Sequence, residues 1–225
     1  NADQDPWTLE QRVTAHPRCK LVEGVGINDC QNASRQVDGT TQLHPAYIMW
    51  RNLLKRTYCP AFKARQAQRY ADVASEWLSL RSFYAWWLTQ PYYVRGNLDS
   101  DLLAAARGLD KAYTPETATY VPHQINTLLA DCKGKRGEWP QGVSWNKREQ
   151  KFKAELTMGG KSTYLGYFDS AADASAAYWA AKWDYVPTRA SELLIGHPER
   201  TDLLLGIRII LEQQHAEALA HTANH

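Results

Sequence analysis

The sequence has few cysteines, and none of them lie close together. No CxxC pair occurs, so the ligand spacing of a structural zinc site is missing. A chain of 225 residues can bury a core large enough to fold without a disulfide framework. We therefore expect free thiols in a reducing compartment at Cys19, Cys30, Cys59 and Cys132.

Long apolar runs are missing as well. No stretch approaches the roughly 20 apolar residues that a membrane-spanning helix needs, and residues 1–20 are too polar for a signal peptide. Neither an internal repeat nor a low-complexity block is visible. The sequence therefore predicts a soluble cytoplasmic protein without a membrane partner.

The net charge is small, at +2, and by itself it points to no class of partner. The positive charge is unevenly placed, because residues 133–163 hold eight Lys or Arg and three Glu. Aromatic residues are abundant, with nine Trp and twelve Tyr. Such side chains suit cores, interfaces and base-stacking surfaces alike, so composition leaves protein and nucleic-acid partners open.

The first part of the chain predicts two helices after an irregular start. Residues 1–45 are rich in Gly and Asn and indicate only short strands or loops. Apolar residues at helical spacing predict a first helix over residues 46–58 and a second from about Ala74 to Thr89. The second helix has one apolar face, which is most simply a core face, formed by Trp77, Leu80, Tyr84 and Trp87.

The middle of the chain predicts two strands and a helix. Residues 95–121 are typical of two short strands joined by a loop that contains AAARGLDK. Residues 122–131 predict a helix, because Pro122 suits a first turn and Ile125 shares a face with Leu128. The Gly, Pro and charged residues of 132–142 then indicate a linker.

Period-two alternation predicts three short strands after the linker, GVSWNK, KFKAELTM and KSTYLGYF. The pair GG between the last two strands is typical of a tight hairpin. Ser170, with Asp173 three positions later, predicts the start of a helix. Residues 200–221 predict a C-terminal helix that packs on the rest of the chain or on a second copy.

This sheet is expected to carry positive charge and aromatic rings on one face. Lys147, Arg148, Lys151 and Lys153 are interleaved there with Trp145, Tyr164 and Tyr167. Phosphate contacts and insertion into a DNA groove require such a face. A solvated strand face is the alternative interpretation, since Lys is common on exposed strands.

Residues 142–182 resemble the DNA-binding domain of the ethylene-response-factor (AP-two) type. The similarity rests on GV at the first strand, KFKAEL in the second, and YLGYFDSAADASAAYWAA leading into the helix. In that family the sheet lies in the major groove. The resemblance implies DNA contacts by Ser144, Lys147, Lys151, Lys153, Glu155, Thr157 and Tyr164. Plant members usually have Arg at the positions of Ser144 and Thr157.

Residues 46–132 resemble the phage-type HNH endonucleases, which often carry this same C-terminal module. The matching elements appear in the family's order: WRNLLKRTY, EWLSLRSFYAW, LDSDLL, YTPETATY, and a closing helix with Asn126. The resemblance implies that Asp99 and Asn126 hold one divalent metal ion, Mg²⁺ or alternatively Mn²⁺. Carboxylate and amide oxygens are suitable ligands for such ions.

Two positions of the HNH pattern are occupied by other residues. The base histidine of the family is matched by Ser100, and a second family Asn is matched by Thr117. His123 and Asp101 are the local candidates for a replacement base. Other interpretations stay open: His123 as an exposed or capping residue, and Asp99 and Asp101 as turn acids that bond backbone amides.

We therefore expect an α+β protein, with an HNH-like ββα-metal module followed by a three-stranded antiparallel sheet packed on one helix, plus a C-terminal helix. The expected divisions are a segment of unclear role (1–45), the nuclease module (46–132), a linker (133–141), the AP-two-type domain (142–186) and a C-terminal helical segment (187–225).

The expected function is that of a DNA endonuclease of phage or mobile-element origin, a class that includes the homing type, which cuts or nicks duplex DNA in the host cytoplasm. One alternative is a catalytically inactive DNA-binding regulator on the same scaffold. Another is a phage protein that binds a host protein. The sequence leaves the oligomeric state open.

Overall fold

The computed structural model describes residues 7–11, 21–65, 72–91, 95–131 and 138–222. The chain divides into two compact units, Asn1–His123 and Gln124–His225. Each combines helices with small antiparallel sheets, which confirms the α+β class. Most of the expected linker, together with Cys19 and Cys132, lies outside the described residues. Cys30 and Cys59 are free thiols, as predicted.

The first unit contains three two-stranded sheets in its described part. The pairs are β1 (Glu10–Gln11) with β2 (Cys30–Gln31), β3 (Ser34–Val37) with β4 (Thr40–Leu43), and β5 (Asn97–Asp99) with β6 (Thr119–Val121). The helices are α1 (Pro45–Tyr58), α2 (Pro60–Arg65), α3 (Leu80–Thr89) and α4 (Asp101–Arg107). Short strands in residues 1–45 and a helix over 46–58 are thus confirmed.

The core of the first unit is aromatic, with Trp50, Trp77 and Trp87 almost fully buried. The buried ring of His44 caps α1, because its Nδ1 accepts a hydrogen bond from the Ala46 amide at 3.1 Å. Its Nε2 then carries the proton and donates to the Trp7 carbonyl oxygen at 2.8 Å. The predicted apolar face of residues 74–89 also lies in this core, as expected.

The second helix is shorter than predicted. A 3-10 turn (Ser75–Leu78) comes first, and Ser79 is extended, with φ −89° and ψ 126°. Asp29 holds this break, since it accepts hydrogen bonds from the Ser79 hydroxyl at 2.7 Å and from the Arg81 amide at 2.9 Å. The single helix from Ala74 to Thr89 was wrong because a distant carboxylate caps the chain at Ser79.

The prediction of a plain loop between β5 and β6 was also wrong, because this connection contains α4. Its sequence, DLLAAAR, is rich in Ala and Leu, which have high helix propensity. Asp99 caps the helix, and Gly108 ends it in the left-handed conformation, with φ 62°. Leu102 and Leu103 are almost fully buried.

The second unit is built on a three-stranded antiparallel sheet in the order β7 (Val143–Asn146), β8 (Lys151–Met158), β9 (Lys161–Phe168). Gly159 and Gly160 form the β8–β9 turn, both with positive φ. The helix α6 (Ala171–Leu193) packs on β8 and β9, and the Ser170 hydroxyl caps it by accepting from the Asp173 amide at 3.0 Å. The predicted strands, hairpin and cap are confirmed.

Two further helices are α5 (His123–Leu129) and α7 (Arg200–Thr222). The helix α7 packs on α6, which fits the expected C-terminal helix. The buried Lys182 of α6 donates from its ammonium group to Gln141 Oε1 at 3.3 Å and to Gln214 Oε1 of α7 at 3.0 Å. Among the residues that the structure describes, no helix is both long and apolar enough to cross a membrane.

Candidate functional site

The strand register of β7–β9 sorts side chains between the two faces of the sheet. Ala154 and Leu156 are buried against the side that α6 covers, and alternate residues of a strand point the opposite way. We call the opposite side the open face. By register it carries Ser144, Asn146, Lys151, Lys153, Glu155, Thr157, Ser162, Tyr164 and Tyr167.

A bulge brings the two tyrosines of β9 onto the open face. Gly166 pairs with Ala154 and Tyr164 with Glu155, so Leu165 has no partner on β8. Tyr164 and Tyr167, three positions apart, therefore point the same way, and their rings meet edge to face at 5.3 Å. They are 52% and 37% exposed, and the Asn146 amide nitrogen donates to the Tyr167 hydroxyl at 2.7 Å.

Trp145 does not lie on the open face. The register pairs it with Phe152, two residues from the buried Ala154, so it points to the side that α6 covers. Its ring meets Phe152 edge to face at 4.8 Å. The expectation that Trp145 joins Tyr164 and Tyr167 on one face was wrong. Trp145 directly follows Ser144 in β7, and neighbouring residues of a strand point to opposite faces.

Two ion pairs lie on or beside the open face. The Lys153 ammonium is 2.7 Å from Glu155 Oε1, and this hydrogen bond raises the pKa of Lys153. The Ser162 hydroxyl donates to the same Glu155 oxygen at 3.3 Å. Lys151 lies 3.1 Å from Asp169 Oδ1. All these charged groups keep contact with solvent, so a polyanion can compete for both lysines.

Lys147 and Arg148 lie in the turn between β7 and β8. The Asn146 side-chain oxygen accepts from the Arg148 and Glu149 amides at 3.0 and 3.2 Å, which fixes the turn. The Arg148 side chain is 92% exposed, 3.6 Å from Glu149. The turn therefore presents two basic side chains to solvent at the end of the sheet.

The candidate nuclease residues of the first unit lie around β5 and the start of α4. Asp99 Oδ1 accepts from the amides of Asp101 and Leu102, at 3.0 Å each. This is the bonding of a turn acid that caps a helix. The residue keeps some surface, yet desolvation of its carboxylate raises the pKa of Asp99 to about 6.

The other groups at this position are bonded within the unit. Asp101 pairs with Lys111 at 2.7 Å. Ser100 is 1% exposed, its hydroxyl donates to Asp101 Oδ1 at 3.5 Å, and it lies beside the Tyr113 hydroxyl. Burial raises the pKa of Tyr113 as well. Ser100 and Asp101 therefore both have local structural roles.

Thr117 and His123 are the remaining candidate residues in the first unit. Thr117 is buried and its hydroxyl donates to the Ala112 carbonyl oxygen, which closes the turn before β6. His123 is exposed, and the Asn97 amide nitrogen donates to its Nδ1 at 2.9 Å. In the neutral ring the proton is then on Nε2, so Nε2 is a donor in this arrangement.

Asn126 belongs to the second unit. Its side-chain oxygen is buried and has no hydrogen-bond partner among the residues that the structure describes. A buried oxygen without a donor costs free energy, and a bound cation would offset that cost. In the same described part of the chain, no three His, Cys, Asp or Glu side chains form a cluster that could hold a metal ion.

The sequence pattern missed Tyr113 and Lys111, the partners of Ser100 and Asp101. It also missed the Leu165 bulge. Gly166, at φ 146°, was the available signal for the bulge, since isolated glycines in strands often accompany such irregularities. No signal in the sequence linked Tyr113 to Ser100.

No protein-family model, curated protein or solved structure matches this chain.

Proposed function

We propose that this protein binds duplex DNA through the open face of its three-stranded sheet, without hydrolysing it. The observation that carries the proposal is the pair of exposed tyrosine rings beside Lys151 and Lys153 on a face opposite to α6. Aromatic rings with basic neighbours suit contact with bases and phosphates.

The dimensions of the sheet fit a DNA groove. Three strands about 4.8 Å apart span roughly 10 Å, and the major groove of B-DNA is about 12 Å wide. Lys147 and Arg148, in the exposed β7–β8 turn, would reach the phosphates that border the groove. DNA phosphates would replace Glu155 and Asp169 as partners of the two face lysines.

The residues of the open face favour a relaxed sequence preference. Ser144 and Thr157 can bond any base, Glu155 can accept a hydrogen bond from cytosine N4, and tyrosine rings can contact thymine methyl groups. Among the described residues, the register places no Arg on this face. The bidentate Arg–guanine contact, the commonest specific one, is therefore not expected from it.

The double variant Lys147→Ala plus Lys151→Ala is expected to bind a random 30-base-pair duplex about 10- to 100-fold more weakly at about 100 mM salt. Each phosphate contact contributes a slope of about −0.9 to the dependence of log K on log salt, so the slope should fall by about 1.8. Fluorescence anisotropy over a salt series measures both quantities. Lys55→Ala plus Lys63→Ala, which removes two exposed charges from α1 and α2, is the matched control. Equal affinity of both double variants would remove the open face as the binding surface.

A second candidate function, metal-dependent cleavage of DNA, is favoured by the orphaned Asn126 oxygen and by the desolvated Asp99 carboxylate. Each of these two oxygens is a candidate ligand for a cation, which when bound would polarise a phosphate and stabilise developing charge. The residues present supply oxygen ligands of the right type. Ser100, a buried hydroxyl, is not a group that accepts a proton at neutral pH.

Incubation with supercoiled plasmid and Mg²⁺ or Mn²⁺ separates the two candidates. Binding without hydrolysis predicts intact plasmid at every metal concentration. Cleavage predicts nicking by the parent that Asp99→Asn and Asn126→Ala both abolish. Asp99→Asn is chosen because an amide oxygen can still accept the two helix-capping hydrogen bonds. Nicking that persists equally in both variants would point to a contaminating nuclease.

A further inference from the structure

The two-stranded ribbon β3–β4 stands out in the first unit because none of its side chains is buried. All four residues of β4 are exposed, as are three of the four in β3. An isolated two-stranded hairpin is only marginally stable in water. The ribbon nevertheless has one defined register over four residue pairs, from Ser34↔Leu43 to Val37↔Thr40.

The base of the ribbon is fixed to the core while its faces stay exposed. The His44 amide donates to the Ala33 carbonyl oxygen at 2.9 Å, and the Trp7 indole donates to the Asn32 carbonyl oxygen at 2.7 Å. The Trp7 ring in turn meets the buried His44 ring edge to face at 5.0 Å. The ribbon is thus bonded to the core at one end.

Polar side chains are ordered along the ribbon by cross-strand bonds. Arg35 donates to Gln42 Oε1 at 3.3 Å and lies over the Trp7 ring at 3.9 Å. Gln36 donates to Thr41 Oγ1 at 2.8 Å. In the described part of the chain, no carboxylate lies within ion-pair distance of Arg35, so its exposed positive charge is available to an anionic partner.

We propose that the β3–β4 ribbon is a second DNA-contacting element, which enters a groove of the duplex. Arg, Gln and Thr are the side chains that bond base edges, and a two-stranded ribbon fits the major groove. Val37 and Leu43 alone do not form the aromatic or apolar anchor that a protein partner would bind. The inference rests on the proposed DNA binding and adds a role for residues 34–43.

The tip of the ribbon supplies a sharp test of charge complementarity. Asp38 and Gly39 have φ 47° and 74°, the conformation of a two-residue type I′ turn, for which Asn-Gly is at least as suitable as Asp-Gly. Asp38→Asn therefore keeps the turn and removes the one negative charge of the ribbon. If the ribbon enters DNA, this change should strengthen binding.

The experiment measures affinity of the full chain for a 30-base-pair duplex by fluorescence anisotropy. We expect Asp38→Asn to bind about two- to fivefold more tightly and Arg35→Gln to bind about five- to tenfold more weakly. The matched control is Asp110→Asn, the same charge change at an exposed position of the same unit. Hydrogen exchange should also show the amides of residues 34–43 slowed by DNA.

The outcomes separate the ribbon from the open face. If the parent fails to bind duplex at low salt, the proposed function itself is wrong, and the ribbon's role falls with it. If the parent binds but Asp38→Asn equals Asp110→Asn and Arg35→Gln equals the parent, the ribbon alone is excluded. Ribbon variants that alter affinity only for single-stranded DNA, or ribbon amides that DNA leaves unprotected, also overturn the groove assignment.

Discussion

Gly142→Ala is expected to lower the free energy of unfolding of the second unit by roughly 2 to 5 kcal/mol. Gly142 precedes β7 with φ +76°, and a Cβ there would lie 2.0 Å from Cδ2 and 2.3 Å from Cε2 of Tyr178. Left-handed backbone costs an L residue about 1–2 kcal/mol, and overpacking a core adds about 1–3 kcal/mol. Since domains are stable by only about 5–15 kcal/mol, this one methyl group can remove a large part of the unit's stability.

Tyr178 cannot easily move away from such a methyl group. Its side chain is 4% exposed, and its ring meets Trp179 edge to face at 5.6 Å. The Gly142 carbonyl oxygen accepts from the Glu155 amide at 2.9 Å, which holds the other side of the contact. The glycine of the GV dipeptide is therefore a packing requirement between the sheet and α6.

Gly160→Ala is the matched control for Gly142→Ala. Gly160 has φ +81°, and a Cβ there would meet no atom within 4 Å, so only backbone strain of about 1–2 kcal/mol is expected. Urea denaturation of both variants, with hydrogen exchange of the β8 amides to localise the loss, measures the difference. Equal destabilisation of the two variants would show that contact with Tyr178 contributes nothing.

The parts of the fold that the sequence predicted are those set by local chemistry. The GG turn, the Ser170 cap and the alternation of β8 depend on neighbours within a few positions, so they are readable from a short window. The buried face of α3 was readable too, because helical periodicity places its aromatic residues together. These elements needed no knowledge of distant contacts.

The elements that were missed depend on residues far apart in the chain. Asp29 ends the 3-10 turn at Ser79 from 50 positions away, and no local window contains both residues. The bulge at Leu165 shifts Tyr164 onto the face of Tyr167, which changes the composition of the candidate DNA surface. Trp145 was assigned to the wrong face of the sheet, because the prediction counted aromatic residues near the strands without asking to which face each one points.

The candidate site was predictable as a set of residues but not as an arrangement. Asp99 was singled out both as a metal ligand and as a turn acid, and its Oδ1 makes the two bonds of a turn acid. The burial of Ser100 against Tyr113 depends on packing between segments that the sequence does not relate. The metal-binding and DNA-binding roles of the candidate residues stay predictions.

Asp99→Asn is expected to stabilise the first unit by about 2 to 3 kcal/mol at pH 7.5 and to leave its stability unchanged near pH 3.5. The folded state raises the pKa of Asp99 to about 6, against about 3.9 in an unfolded chain. The folded state therefore holds the proton more tightly, and stability falls as the pH rises from about 4 to about 6. The full loss is about 3 kcal/mol above pH 6.

The asparagine variant separates the carboxylate's charge from its capping role, because the amide oxygen still accepts from the amides of residues 101 and 102. Urea denaturation from pH 3.5 to 8, with hydrogen exchange of the β6 amides as the local probe, should show a gap between parent and variant that opens with rising pH. Asp110→Asn, which changes an exposed acid three positions beyond the end of α4, should show no such gap. A variant less stable than the parent at pH 7.5 would mean that the ionised carboxylate stabilises the fold. A gap that Mg²⁺ closes would instead show that this costly charge is kept for a cation.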